Sequence, residues 1–148
     1  MQDNKTISVR VTRRFDFPAE RVFDAWLDGD MIGRWMFGPA LRDEEILRIA
    51  LDARIGGSFS FLVRRHGQEI DHIGNYLEID RPRRIVFTWG IAGQSDGDDS
   101  RVIVEIAPQD GGCELVLIHE MDAKWAEYAD RTRNGWTKMV DALAEVLG

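Results

Sequence analysis

The chain is poor in cysteine, in long apolar runs and in positive charge, and each shortage removes a class of protein. Its one cysteine, Cys113, closes no internal disulfide, so an oxidising compartment is not indicated. No charged-then-apolar leader opens the sequence. No apolar run approaches the roughly 20 residues that cross a bilayer. A cytoplasmic protein without membrane insertion is the expectation. Acidic residues outnumber basic ones by 26 to 19, and the formal net charge of −7 is spread along the chain. That balance works against a phosphate backbone, so nucleic acid is not an expected partner. Arg64, Arg65, Arg81, Arg83 and Arg84 offer a local basic cluster, but their setting at strand ends and turns reads as solvated surface.

What is present is short elements with clear punctuation. Ile7, Val9, Val11 and Arg13 alternate with Ser8, Arg10, Thr12 and Arg14 up to Phe15, the period of a strand with one wet face. Pro18 suits a first helical turn, and Val22, Phe23, Trp26 and Leu27 follow at helical spacing. Asp28, Gly29 and Asp30 break that helix, and Asp30 is placed to cap a second one carrying Met31, Ile32, Trp35 and Met36. After Gly38 and Pro39 strands are expected over Glu45–Arg54, Ser58–Arg65, Glu69–Ile79, Arg84–Gly90, Arg101–Ala107 and Cys113–Met121. The separators are Ile55-Gly56-Gly57, His66-Gly67-Gln68, Asp80 to Arg83, the Gly93 to Ser100 loop with its acidic tip at Asp96 to Asp99, and Pro108 to Gly112. Connections this short join antiparallel neighbours, and a meander follows. From Ala123 to Leu147 the period returns to 3.6, with Trp136, Met139, Val140, Leu143, Val146 and Leu147 on one stripe. Gly135 inside that helix, costing about 1 kcal/mol relative to alanine, points to a close approach to the sheet or a bend.

With no repeat and no boundary, residues 1–148 read as a single α+β domain, long enough to bury roughly 70% of the surface of its unfolded chain. Alternation puts Phe59, Phe61 and Val63, Ile85, Phe87 and Trp89, and Leu117, His119 and Met121 on the larger, more aromatic face of the sheet. Only the closing helix and the two short ones are available to cover it. A helix about 10 Å wide does not fill the hollow of such a curved sheet, so a gap lined by these residues is expected, the usual form of a ligand pocket. On pattern alone, a filled core is the competing reading.

Several phrases taken together resemble one family. They are Phe17-Pro18-Ala19-Glu20-Arg21-Val22-Phe23-Asp24-Ala25-Trp26 with Arg34-Trp35, Asp52 to Gly57, Gly74-Asn75-Tyr76-Leu77-Glu78-Ile79 running on to Pro82, Phe87-Thr88-Trp89, Leu115 to Glu120, and Gly135-Trp136. In order and spacing they are similar to the AHSA-type group, the activator of heat-shock-protein ATPase homologues, within the START and polyketide-cyclase superfamily. The resemblance implies the helix-grip (START-like) fold: a curved seven-stranded antiparallel sheet around a long C-terminal helix, with two short helices after the first strand. It also implies a cavity between sheet and helix, used across the superfamily for lipids, sterols, polyketides and other apolar molecules. It implies no particular reaction.

The residues themselves allow little chemistry. The three histidines have no metal-ligand spacing, and no cofactor is expected. Ser58 and Ser60 lack a recognisable base, and Cys113 has no obvious activating neighbour. Asp52 and Arg54 are placed to meet opposite charges on neighbouring strands. Trp26, Trp35, Trp89 and Trp136 each carry an N–H that needs a partner if buried, with Trp89 the first choice to orient a ligand oxygen.

Three functions stay open. In the first, a small apolar or amphipathic molecule lies against Phe59, Phe61, Phe87, Trp89, Leu117, Met121, Trp136 and Met139, with His119 or Tyr76 fixing a polar end. In the second, a polyketide-cyclase-like enzyme uses His119 as a proton shuttle. In the third, outer-face Val86, Ile103, Val116 and Ile118 serve a chaperone or regulatory partner, or a homodimer.

Overall fold

The period-two segments pair into one antiparallel sheet. In the computed structural model, which describes residues 6–39, 41–93 and 100–148, the order is β1 (Thr6–Phe15), α1 (Ala19–Ala25), α2 (Gly29–Trp35), β2 (Glu45–Leu51), β3 (Ser58–Arg65), β4 (Gln68–Asp80), β5 (Arg84–Ile91), β6 (Ser100–Gln109), β7 (Gly112–Asp122), a 3₁₀ segment (Ala123–Tyr128) and α3 (Ala129–Leu147). The seven strands lie in the order β1-β7-β6-β5-β4-β3-β2. The meander from β2 to β7 is thus completed by β1, which pairs with β7 from Thr6↔Asp122 to Phe15↔Cys113. The acidic tip read at Asp96 to Asp99 lies outside the described residues.

Local chemistry moves several boundaries. Strand β2 stops at Leu51, and Asp52 and Arg54 pair with each other at 2.7 Å instead of with neighbouring strands. The turn that follows needs both glycines: Gly56 has φ 88°, and a Cβ on Gly57 would lie 2.1 Å from the Asp52 carbonyl oxygen. Strand β6 runs through Pro108, which pairs with Cys113, leaving a tight Asp110-Gly111 turn with Gly111 at φ 76°. The cap of α2 is Asp28, not Asp30: its Oδ1 accepts from the Asp30 N–H at 3.0 Å and the Met31 N–H at 3.4 Å. The expected single closing helix is two segments. Trp125 and Tyr128, three apart, sit 5.7 Å centroid to centroid in the 3₁₀ segment, whose period eclipses i and i+3.

Helix α3 turns Trp136, Met139, Val140, Leu143 and Leu147 to the sheet. Burial of one such leucine is worth about 2 kcal/mol. Gly135 does not approach the sheet closely, since a Cβ there would meet nothing within 4 Å. The hollow is also less empty than one helix would leave it. Val22, Phe23, Trp26, Ile32 and Trp35 from α1, α2 and their join, with Met36 and Phe37, are all buried in the same core as the sheet residues. Counting helices as bare cylinders overlooked these side chains.

Among the described residues the outer face carries no helix, yet Val86 and Ile103 are buried there and Val116 and Ile118 are half-buried. The same face carries ion pairs of long side chains, Arg84 with Glu78 and Glu105 and Arg101 with Glu120, and side chains of this kind cover apolar surface with their aliphatic stems. Arg64, Arg65, Arg81 and Arg83 are likewise each paired with a carboxylate. No helix among the described residues is long and apolar enough to cross a membrane.

Candidate ligand-binding groove

The inner aromatic residues pack mainly on one another. Phe59 stacks on Phe61 at 4.7 Å and meets Tyr76 at 5.5 Å and Phe87 at 5.8 Å. Trp26 is edge-on to Trp35 at 4.6 Å and stacked on Trp136 at 6.1 Å. The space left among Trp26, Met36, Phe59, Phe61, Tyr76, Ile85, Phe87 and Trp89 is ≈ 10 Å³, about one water. Two polar groups belong to residues of its wall. The Trp26 indole N–H is buried with no acceptor among the described residues, and burial pushes the Tyr76 hydroxyl well above the usual phenol range.

A larger opening lies outside this layer. A groove of ≈ 560 Å³ runs beneath α3, lined by Phe37 and Arg42 after α2, Arg65 of β3, His72 of β4, Trp89 and Ile91 of β5, His119 of β7, and Arg131, Thr132, Gly135, Trp136 and Met139 of α3. Trp89 borders both spaces and touches Phe59, His72, Phe87 and Trp136 at 6.0, 5.4, 6.1 and 5.4 Å. It is the partition between groove and interior. The residues singled out from the sequence therefore divide. Trp89, His119, Trp136 and Met139 line the groove, and Phe59, Phe61, Tyr76 and Phe87 line the small interior space. Leu117 and Met121 are buried in β7 and line neither.

His119 is held by a chain whose proton positions follow from donor chemistry. The Trp136 indole N–H can only donate, so His119 Nδ1 accepts it at 3.0 Å. The neutral ring then carries its proton on Nε2 and donates to Ser100 Oγ at 2.7 Å. Ser100 in turn donates to the Trp89 carbonyl oxygen at 2.7 Å. Every position is used, and burial pushes the His119 pKa down to about 4. A proton shuttle needs a free lone pair near the substrate, and the only one on this ring is occupied by Trp136.

The linkage has a definite sign. Unfolded histidine takes up its proton near the ordinary value of 6.5, folded His119 near 4, so lowering the pH through this window favours the unfolded chain by up to about 3 kcal/mol. Chemical denaturation at stepped pH is expected to show this loss below pH ~6.5. His119→Gln, whose amide accepts and donates in the same way without titrating, should flatten it.

At the open end, the carboxylate of Glu44 is fully buried between two arginines. Its Oε1 accepts from Arg65 Nε at 3.0 Å and Nη2 at 2.6 Å, and its Oε2 from Arg42 Nη1 at 3.1 Å and the Gly38 N–H at 2.8 Å. Burial by itself would raise the Glu44 pKa, but the Gly38 and Arg65 hydrogen bonds and the two guanidinium charges outweigh it and hold the group below the usual range. His72 beside them donates from Nδ1 to the Phe61 carbonyl at 3.0 Å, because a carbonyl only accepts. Burial, with Arg65 and Arg42 adding to it, pushes the pKa of the ring down against the opposing effects of the Phe61 hydrogen bond and Glu44. Its Nε2 lone pair has no partner among the described residues. Cys113 is buried, and burial raises its thiol pKa. Among the described residues, no group of three or more His, Cys, Asp or Glu is placed to hold a metal ion.

The family model described as Activator of Hsp90 ATPase homolog 1-like protein matches residues 16–148. The chain belongs to this family. Its fold is the helix-grip fold shared with solved structures from several bacteria. Protein CV1439 from Chromobacterium violaceum is 25% identical with a TM-score of 0.80, the match covering 94% of this chain and 95% of that one. SA2116 of Staphylococcus aureus, titled a protein of unknown function, is 19% identical with a TM-score of 0.82, over 97% and 94% of the two chains. Mll3558 of Rhizobium loti is 22% identical with a TM-score of 0.79, over 97% and 99%. No curated protein matches the chain.

Within this AHSA-type chain, His119 is the polar groove residue that sequence reading singles out; Arg65 reads there as solvated surface, and His72, Arg42 and Arg131 are passed over. Counting back by twos from Tyr76 puts Gly74 and His72 on the inner face, and the register Phe61↔His72 agrees. That signal was available. Glu44 and Arg42 lie in irregular chain between α2 and β2, where no periodicity reports which way a side chain points.

Proposed function

We propose that the protein binds a small apolar or amphipathic molecule in the groove beneath α3. The observation that carries this reading is Gly135. A glycine in a helix interior is unfavourable, and no close contact to a neighbouring element accounts for this one. What it does is leave room beside Trp89, Trp136 and Met139. The groove's volume is in the range of sites for small molecules, and its aromatic floor would supply the apolar burial. The enzyme alternative loses support because His119 is saturated. The surface-partner alternative, chaperone or second copy, loses support because Val86 and Ile103 are buried.

Gly135→Phe tests the proposal without undermining the fold, since replacing a helical glycine contributes up to about 1 kcal/mol of stability. A lipophilic ligand library is expected to raise the melting temperature of the wild type and to leave that of Gly135→Phe unmoved. If no ligand shifts the wild type, or if the same ligands shift both proteins equally, the groove is not the site.

A further inference from the structure

The groove's charge is opposite to that of the chain around it. Three of its lining residues are arginines, Arg42, Arg65 and Arg131, and none is Asp or Glu, in a protein whose formal net charge is −7. Elsewhere most arginines are answered by carboxylates, as in the pairs of Arg54, Arg64, Arg81, Arg83, Arg84 and Arg101, and Arg10, Arg21 and Arg34, which lie outside the groove, are the ones without an ion pair among the described residues. Here one carboxylate, Glu44, is shared by two guanidinium groups. Arg131 has no ion-pair partner among the described residues and only lies over the Tyr128 ring at 5.3 Å. Positive charge is therefore left over at the groove. Burial lowers the pKa of both histidines that line it, so that excess comes from arginine.

The arrangement is also built and not merely exposed. Glu44, whose side chain is fully buried, holds the part-buried Arg42 and Arg65 through hydrogen bonds. Arg65 is anchored by Nε and Nη2 and Arg42 by Nη1 alone, so among the described residues Nη1 of Arg65 and Nε and Nη2 of Arg42 have no hydrogen-bond partner. Guanidinium N–H groups held in this way bind an oxyanion at little further ordering cost.

We propose that the groove's ligand is a free small molecule with one anionic head, of the carboxylate or sulfonate class, on an apolar body: the head at Arg42, Arg65 and Arg131, the body against Trp89, Trp136 and Met139. This rests on the groove being the ligand site. A neutral lipid would leave the arginine N–H groups facing an apolar molecule, and a polyanion would meet the acidic remainder of the chain.

Two fluorescent probes with one aromatic body separate the claims: anilinonaphthalenesulfonate, which carries an anionic head, and phenylnaphthylamine, which has none. Both are titrated against the wild type, Arg131→Glu and Gly135→Phe. Arg131 is exposed and unpaired, so its replacement leaves the fold intact, as circular dichroism checks. The sulfonate is expected to bind the wild type, to weaken about tenfold in Arg131→Glu, and to weaken as salt rises from about 0.05 to about 0.3 M. The neutral probe should respond to neither change, and Gly135→Phe should lose both probes. If both probes bind, compete and ignore Arg131 and salt alike, the anionic head is overturned while the apolar groove stands. If neither binds the wild type, or Gly135→Phe retains both, the groove itself falls and takes this proposal with it.

Discussion

Glu44→Gln is expected to be the most damaging single change at the open end of the fold, lowering stability by about 3–5 kcal/mol. The carboxylate is wholly enclosed and takes four hydrogen bonds, three from guanidinium groups and one from the Gly38 N–H. An amide of the same shape accepts at one end only and brings an NH₂ against Arg42 or Arg65, so one guanidinium is left beside a donor. Removing one member of a buried ionic cluster costs more than the cluster contributes, because the survivor stays desolvated. The readout is the denaturant midpoint at neutral pH. A loss below about 1 kcal/mol would show that water screens this cluster as it screens surface pairs. Acid should act in the same direction. The folded pKa of Glu44 lies below its ordinary value of 4.5, so its contribution is present above that value and is lost as pH falls through the folded pKa. Glu44→Gln should therefore lose stability less steeply than the wild type in that acid range.

The second large effect is expected at Trp89. Trp89→Ala removes the wall between a groove of ≈ 560 Å³ and an interior space of ≈ 10 Å³, and with it ring contacts to Phe59, His72, Phe87 and Trp136. The side chain is half-buried, so the cost falls near the low end for truncating a large aromatic residue, about 3 kcal/mol. That corresponds to a melting temperature lower by about 10 °C. Because the gap is apolar, it should accept an apolar guest of the missing shape. Millimolar indole is expected to restore several degrees to Trp89→Ala and nothing to the wild type. Equal effects on both proteins would mean that Trp89 does not separate the two spaces.

The sheet was legible in the sequence because alternation and turn chemistry agree there. Ser58–Arg65 begins and ends as read, and the other strands differ at their ends by one to three residues. The closing helix was legible as a stripe but not as two segments, because Trp125 and Tyr128 fit a 3₁₀ and an α period almost equally well over so short a stretch. The site was half legible. Inward-facing residues can be listed by parity, and most of those chosen are indeed buried. Parity does not say how much of the hollow Trp26 and Trp35 take up from the other side, and so it does not say whether Phe59 lines a chamber or a packed wall. Nor does any periodicity cover residues 37–44, the stretch that supplies Arg42 and Glu44.

That filling by Trp26 and Trp35 has a consequence for how such a scaffold changes its capacity. Both residues sit on the insertion between the first two strands, outside the hydrogen-bonded ladder, so exchanging them for smaller ones would enlarge the interior without touching a single strand pairing. The short helices work as a removable stopper. Cousins with the same β-layer can thus differ widely in the size of guest they admit, through substitutions at two positions that never enter the sheet.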